Sequence, residues 1–206
     1  EEVDKARPGI LIYGEGWAAD HSPMPEHFRA VKRNISKLKD IAVFNDDIRD
    51  ALKGNHGTKA SRGFVSGLSL REEAIKFGIV GAIYHPQIVY SYVESSHEPW
   101  AAEPSQCINY VSCHDNYTLY DKLKMSVPQA SREELSSMVK LAGAVILTSQ
   151  GIPFLHAGVE FCRTKYGNGN SYNAPDHVNQ IEWVRKSVYR DVFEYYRKLI
   201  QLRKNH

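Results

Sequence analysis

A glutamate follows an apolar run near the start of the chain, in "ILIYGEGW" (residues 10–17). A histidine and an aspartate follow another, in "INYVSCHDN" (residues 108–116). Glu15, His114 and Asp115 thus stand at the ends of segments that read as buried strands, where backbone turns can aim them at one point. Two further runs deliver charge in the same way: "IAVF" leads into Asp46 and Asp47, and "IPFL" leads into His156 and then Glu160. Paired carboxylic acids suit glycoside cleavage, in which one protonates the leaving oxygen and another faces a cationic centre. A histidine grouped with acids also suits metal-assisted hydrolysis, so the residue types alone leave both chemistries open. Each group has a plain alternative as an exposed or hydrogen-bonded loop residue. Asp46 and Asp47 read as helix-capping or loop-bracing residues, because "NDDIRDAL" has the pattern of a helix start. His156 and Glu160 are assigned to structure.

The elements that must position these groups alternate along the chain. Strands are expected at Ile10–Glu15, Ile41–Asn45, Ile108–Ser112 and Ile152–Ala157, each short and rich in Ile, Val, Phe or Tyr. Helical spacing links Ile75, Ile79, Ala82 and Ile83. It also links Leu135, Met138, Val139, Ala142, Val145 and Ile146, and then Val188, Val192, Tyr195, Leu199 and Leu202. Strands apolar on both faces, alternating with helices, imply a parallel sheet covered by helices. Two polar stretches rich in Gly, Asn and Ser, Gly54–Ser69 and Arg163–Val178, are read as strand-to-helix loops. In parallel α/β folds such loops carry the ligand site, and charges at several strand ends converge on one mouth. No internal repeat, low-complexity tract or domain boundary is evident.

Composition narrows the partners. Of the 206 residues 42% are hydrophobic, enough for one good-sized core, and Lys+Arg 26 against Asp+Glu 24 gives a net charge of only +2. That balance, with no basic or acidic block, argues against nucleic acid or an anionic membrane surface as the main partner. Twelve Tyr and three Trp suit both a core and sugar stacking. Cys107, Cys113 and Cys162 lack C-x-x-C spacing and read as buried free thiols. Neither a signal peptide nor a membrane-spanning stretch is evident, and localisation is left open. Asn34-Ile35-Ser36 and Asn116-Tyr117-Thr118 match a glycosylation sequon, a pattern common by chance.

Four segments, "IYGEGW", "FNDDIRDALKG", "NYVSCHDNYTLYDKL" and "QGIPFLHAGVEFCRTKYGNGNSYN", occur in this order. Together they resemble the type I pullulanases, the α-1,6-debranching branch of the α-amylase superfamily (glycoside hydrolase family 13). The resemblance covers essentially the whole chain. "YVSCHDN" with "FNDDIRDALKG" upstream separates this branch from ordinary α-amylases, and argues for it over branching or isoamylase-type enzymes. The implied fold class is α/β, a partial TIM (β/α)8 barrel holding about strands 5 to 8 with their helices. Residues 1–206 would then be the C-terminal half of one catalytic domain.

Roles carry over residue by residue. Glu15 matches the family's general acid/base, and Asp115 matches the acid that binds sugar hydroxyls and stabilises the transition state. His114 matches the histidine that hydrogen-bonds the same sugar. Trp17 would be an aromatic wall near the scissile bond, with core packing as its alternative. Asn173 and Asp176 lie in the loop that lines the donor side in relatives. An apolar strand end beside Tyr13 and Trp17 is expected to raise the pKa of Glu15, while Asp115 stays charged. Val159 stands where relatives often carry an acid in "HAG-x-E".

The family's nucleophile is an aspartate in a "GFRFD"-type segment of the fourth strand, and no such segment occurs here. The expectation is therefore a piece of a retaining glycosidase acting on α-glucans, inactive alone. Calcium occurs in some relatives, but no metal site or other cofactor is called for here. Open parallel edges imply association with the missing N-terminal half or with another copy. The alternative is a complete, non-catalytic α-glucan-binding half-barrel.

Overall fold

The computed structural model describes residues 2–18 and 20–206. Four parallel strands form one sheet in the order β1 (Ile12–Gly14), β2 (Ile41–Phe44), β3 (Cys107–Asn109) and β4 (Ile152–Pro153). Ile12 pairs with Ile41, Val43 with both Gly14 and Cys107, and Ile108 with Ile152. Each strand is shorter than its apolar run because the ladders end where the chain turns toward the loops. The pairing reaches one bond further at two places, Asn45 N–H to Ile108 O (2.9 Å) and Phe154 N–H to Asn109 O (2.9 Å).

Among the described residues there are eight α-helices, besides short 3-10 turns: α1 (Glu2–Ala6), α2 (Asp46–Lys53), α3 (Glu72–Ile79), α4 (Leu119–Ser126), α5 (Arg132–Thr148), α6 (Asp176–Asn179), α7 (Val184–Val188) and α8 (Arg190–Asn205). Their starts follow capping chemistry. The side chains of Asn45 and Thr118 accept from Ile48 N and Asp121 N, and Ser131 with Glu134 forms a reciprocal box at α5. Two helical readings are corrected. Helix α3 stops at Ile79, and Ala82 (φ 61°) lies beyond it in a left-handed turn with Gly81 (φ 72°). The C-terminal pattern is split between α7 and α8, so Val188 ends the shorter helix half exposed. The stretch Gly54–Ser69 follows α2 rather than a strand, so it is the second part of an interrupted strand-to-helix connection.

The two faces of the sheet differ. On the helix-covered face Val43 and Cys107 pack with Phe77, Ile35 and Trp100, and the main helical core gathers α2, α3, α4, α5 and α8. The α5–α8 contact needs a glycine. A Cβ on Gly143 would lie 2.3 Å from the ring of Tyr196, whose hydroxyl donates to Val139 O at 3.1 Å. Asn45 and Asn109 are wholly buried on this face. Asn45 donates to Asn109 Oδ1 (3.0 Å), and Asn109 donates to Gly78 O (2.8 Å) and Gln150 O (2.9 Å), so the polar groups satisfy one another. The opposite face is an aromatic row: Phe44 meets Tyr13, Tyr110 and Phe154 edge-on at centroid distances of 6.0, 4.9 and 5.1 Å. Tyr13 remains 53% exposed, as does much of Ile10 and Leu11. Among the described residues no helix is long and apolar enough to cross a membrane.

Candidate active site

Glu15 leaves the end of β1 through a turn that only glycine fits. Gly16 has φ 80°, and a Cβ there would lie 2.7 Å from Val43 Cβ, so the turn presses directly on β2. Lys32 N–H donates to Gly16 O (2.6 Å), and its ammonium reaches Asp46 Oδ2 at 2.7 Å. His114 and Asp115 occupy the turn between β3 and α4, where Asn116 takes a left-handed backbone (φ 59°) before Thr118 caps the helix. His114 Nε2 lies 3.5 Å from Asp115 Oδ1. One donor atom each from Glu15, His114 and Asp115 lies within 4.8 Å of the others, and all three side chains are exposed. Such a set is spaced closely enough to reach one divalent cation, although exposed acids commonly sit so without one.

These groups border a cleft of about 320 Å³, with Trp17 and Phe44 as apolar walls and Asp46, Arg49, His56, Tyr110, Cys113 and Asn116 around them. Its floor is a charged network. Tyr110 OH donates to Asp46 Oδ1 (3.1 Å) and accepts from Arg49 Nη1 (2.7 Å), while Arg49 grips Asp50 at 2.6 and 3.0 Å. Burial works against the Arg49 charge, but the Asp50 bond and the nearby Tyr110 and Asp46 outweigh it and hold its pKa above the ordinary value. Burial likewise disfavours ionised Asp50, yet Arg49 and His56 hold its carboxyl below the usual range.

No protein-family model matches the chain. Similarity to individual proteins is nonetheless high. Pullulanase from Bacillus subtilis (strain 168) is 40% identical over 206 residues, covering 100% of this chain and 27% of that protein. A crystal structure of pullulanase from Paenibacillus barengoltzii in complex with maltohexaose and α-cyclodextrin matches with a TM-score of 0.89. Its sequence is 45% identical, and the match covers 100% of this chain and 30% of that one. Pullulanase type I from Bacillus subtilis str. 168, complexed with maltose, matches at a TM-score of 0.91 and 40% identity, over 100% of this chain and 27% of that one. The chain belongs to the type I pullulanase family. It spans less than a third of the length of these relatives, and its fold is, as expected, α/β and part of a (β/α)8 barrel.

On this pullulanase scaffold the residues singled out by sequence fall into three groups. Glu15, Trp17, His114 and Asp115 come together at the cleft, and Trp17, 41% exposed, faces it rather than the core. The enclosure expected around Glu15 is not in place, because Tyr13 and Trp17 leave the carboxylate open to solvent. Asn173 and Asp176 are exposed and border neither this cleft nor its neighbour. Their loop reaches the site through Asn170, Ser171, Tyr172 and Asn179, which line a second cleft of about 160 Å³ sharing His114 and Asp115 as a wall.

The structural assignments fit what the chain does with the remaining acids and histidine. Asp47 accepts from Ser95 N, Ser96 N and Ser96 Oγ, and Glu160 accepts from Gly158 N. His156 Nε2 accepts from Arg163 Nη1 at 3.2 Å; burial and the positive Arg163 push its pKa down to about 3. Asp46 braces its loop through Lys32 and also reaches the cleft, with Arg49 one helical turn further on; the spacing "DDIRD" was the available signal. Val159 is buried in the helical core, which suits an apolar residue there. Cys107 and Cys162 are buried free thiols pushed up to about 12 by desolvation, whereas Cys113 is half-buried at the cleft. The Asn34 sequon is not available, since its amide donates to Glu26 O and Arg29 O.

Proposed function

We propose that residues 1–206 are the C-terminal half of the (β/α)8 catalytic domain of a retaining glycoside hydrolase that cleaves α-1,6 linkages in pullulan-, starch- or glycogen-type α-glucans. The convergence of Glu15, His114 and Asp115 within 4.8 Å of one another, in a chain of this family, carries the reading. In it Glu15 protonates the leaving oxygen and then acts as base toward water. Asp115 faces the oxocarbenium-like centre as a carboxylate, and His114 holds the sugar hydroxyls beside it. Trp17 offers an apolar platform for a sugar face, and Asn173 and Asp176 belong to the donor-side loop. The similar pullulanase from Paenibacillus barengoltzii is in complex with maltohexaose and α-cyclodextrin and that from Bacillus subtilis with maltose, which supports an α-glucan as the ligand.

The covalent step needs an aspartate from a "GFRFD"-type segment, which these residues do not contain. The chain alone therefore binds glucan but does not turn it over. The open part of the aromatic row, Tyr13 with the partly covered Phe44 and Phe154, would be covered by the N-terminal half of the barrel or, in its absence, by another copy. The test is reducing-sugar release from pullulan by the purified chain, with Glu15→Gln as the blank, before and after adding a polypeptide carrying the nucleophile segment. Release is expected only after addition. Glu15-dependent release from the chain alone would overturn the assignment of roles.

A further inference from the structure

Three lysines are buried: Lys53 (2% exposed), Lys122 (0%) and Lys165 (4%). Burying an ammonium group costs free energy unless oxygen atoms surround it, so the partners show what the burial achieves. Lys165 Nζ donates to His114 O at 3.0 Å and to Ser171 Oγ at 2.6 Å. Lys53 Nζ donates to Tyr117 O at 3.4 Å. The two accepting carbonyls are the first and last of the four-residue turn that holds Asp115. One lysine comes from the last turn of α2 and the other from the loop after β4, so the turn is gripped from both sides. Lys165 is itself fixed, because Asp121 accepts from its backbone N–H (2.7 Å) and from Thr164 Oγ1 (2.5 Å).

We propose that Lys53 and Lys165 are positioning residues, whose ammonium groups clamp the two ends of the His114–Tyr117 turn and so fix where His114 and Asp115 face the cleft. The functional side of this inference rests on the glucan-site reading above; the mechanical side does not. A left-handed Asn116 in mid-turn is a strained feature that its surroundings must hold. Methionine would fill either lysine's space with less desolvation, so the charge serves position rather than packing. Lys53 faces Arg49, Asp50, Cys113 and Lys122, and burial together with Arg49 brings its pKa down to about 8. Lys165 faces Arg163, Cys113, Asp115 and Asp121, and burial and Arg163 lower its pKa too. The Lys53 arm therefore weakens as pH rises past about 8.

The test is backbone ¹⁵N relaxation of the chain in wild type, Lys53→Met, Lys165→Met and Lys165→Arg, with maltotetraose titrated into each. In wild type at pH 7 the turn is expected to show order parameters of about 0.85, falling below about 0.6 in the methionine variants while α5 stays rigid. Lys165→Arg restores the order, and maltotetraose affinity falls by roughly tenfold or more where order is lost. An unchanged turn in both methionine variants, or equal loosening throughout the chain, overturns the clamp. If those variants do not fold, wild type decides: loosening of the turn alone between pH 7 and 9 supports the clamp, and no change refutes it. A wild type that binds no maltotetraose would sink the glucan-site reading, while the relaxation data still judge the clamp.

Discussion

The two faces of the same four strands obey different rules. Toward the helices, Val43, Cys107, Phe77, Asn45 and Asn109 are at most 1% exposed and every asparagine amide has partners. Toward the other side, Phe44 and Phe154 are only partly covered and Tyr13 is half exposed. Because side chains alternate along a strand, one short run serves both: Val43, Asn45, Cys107 and Asn109 turn to the helices, while Tyr13, Phe44, Tyr110 and Phe154 turn to the other face. Stability and chemistry are thus separated by one residue in register.

The sharpest way to break this comparison is to overfill the helix side. Gly143→Val, with its Cβ 2.3 Å from the Tyr196 ring, is expected to cost 3 kcal/mol or more, about the upper end for overpacking, in urea unfolding. Next, Phe77→Ala should cost about 3–5 kcal/mol, while Phe44→Ala on the partly covered face should cost clearly less. Equal losses would show that the faces are not distinct. A third test uses pH. His156 is held neutral in the folded chain, with a pKa of about 3 against 6.5 unfolded, so below pH 6.5 the unfolded state binds the extra proton. Stability is full above pH 6.5 and falls as pH drops toward 3, by on the order of 2 kcal/mol at pH 5; His156→Gln should flatten that slope in urea melts. Smallest of all, Tyr13→Ser should change stability by less than about 0.5 kcal/mol yet reduce self-association seen by sedimentation.

Much of this was legible because apolar runs ending in charge are a strong signal. The four strands, their parallel order and the placement of Glu15, His114 and Asp115 all follow from it. Ladder lengths did not, since the third run was expected to pair over Ile108–Ser112 whereas its ladder ends at Asn109, and nothing in the sequence marks Asn45 and Asn109 as the polar ties beneath the sheet. The end of α3 was hidden because Ala82 gives no sign of a left-handed backbone. Lys53 and Lys165 read as surface residues by type, and only three-dimensional closeness to His114 and Tyr117 reveals them. The exposure of Glu15 was equally invisible, because a neighbouring ring in sequence need not cover its neighbour in space.

Lys122 carries a consequence of its own. Its ammonium donates to Asn55 O (2.9 Å), Lys59 O (3.2 Å), Ser61 Oγ (2.9 Å) and Thr58 O, a cage of oxygens around one positive charge. It does for the loop that presents His56 what a bound potassium or calcium ion does elsewhere, but on a tether. A tethered ion cannot be chelated, diluted or exchanged, so EDTA should leave this loop's shape untouched. Only removing the proton can discharge it, which makes alkali, rather than metal scarcity, the condition that loosens this side of the cleft.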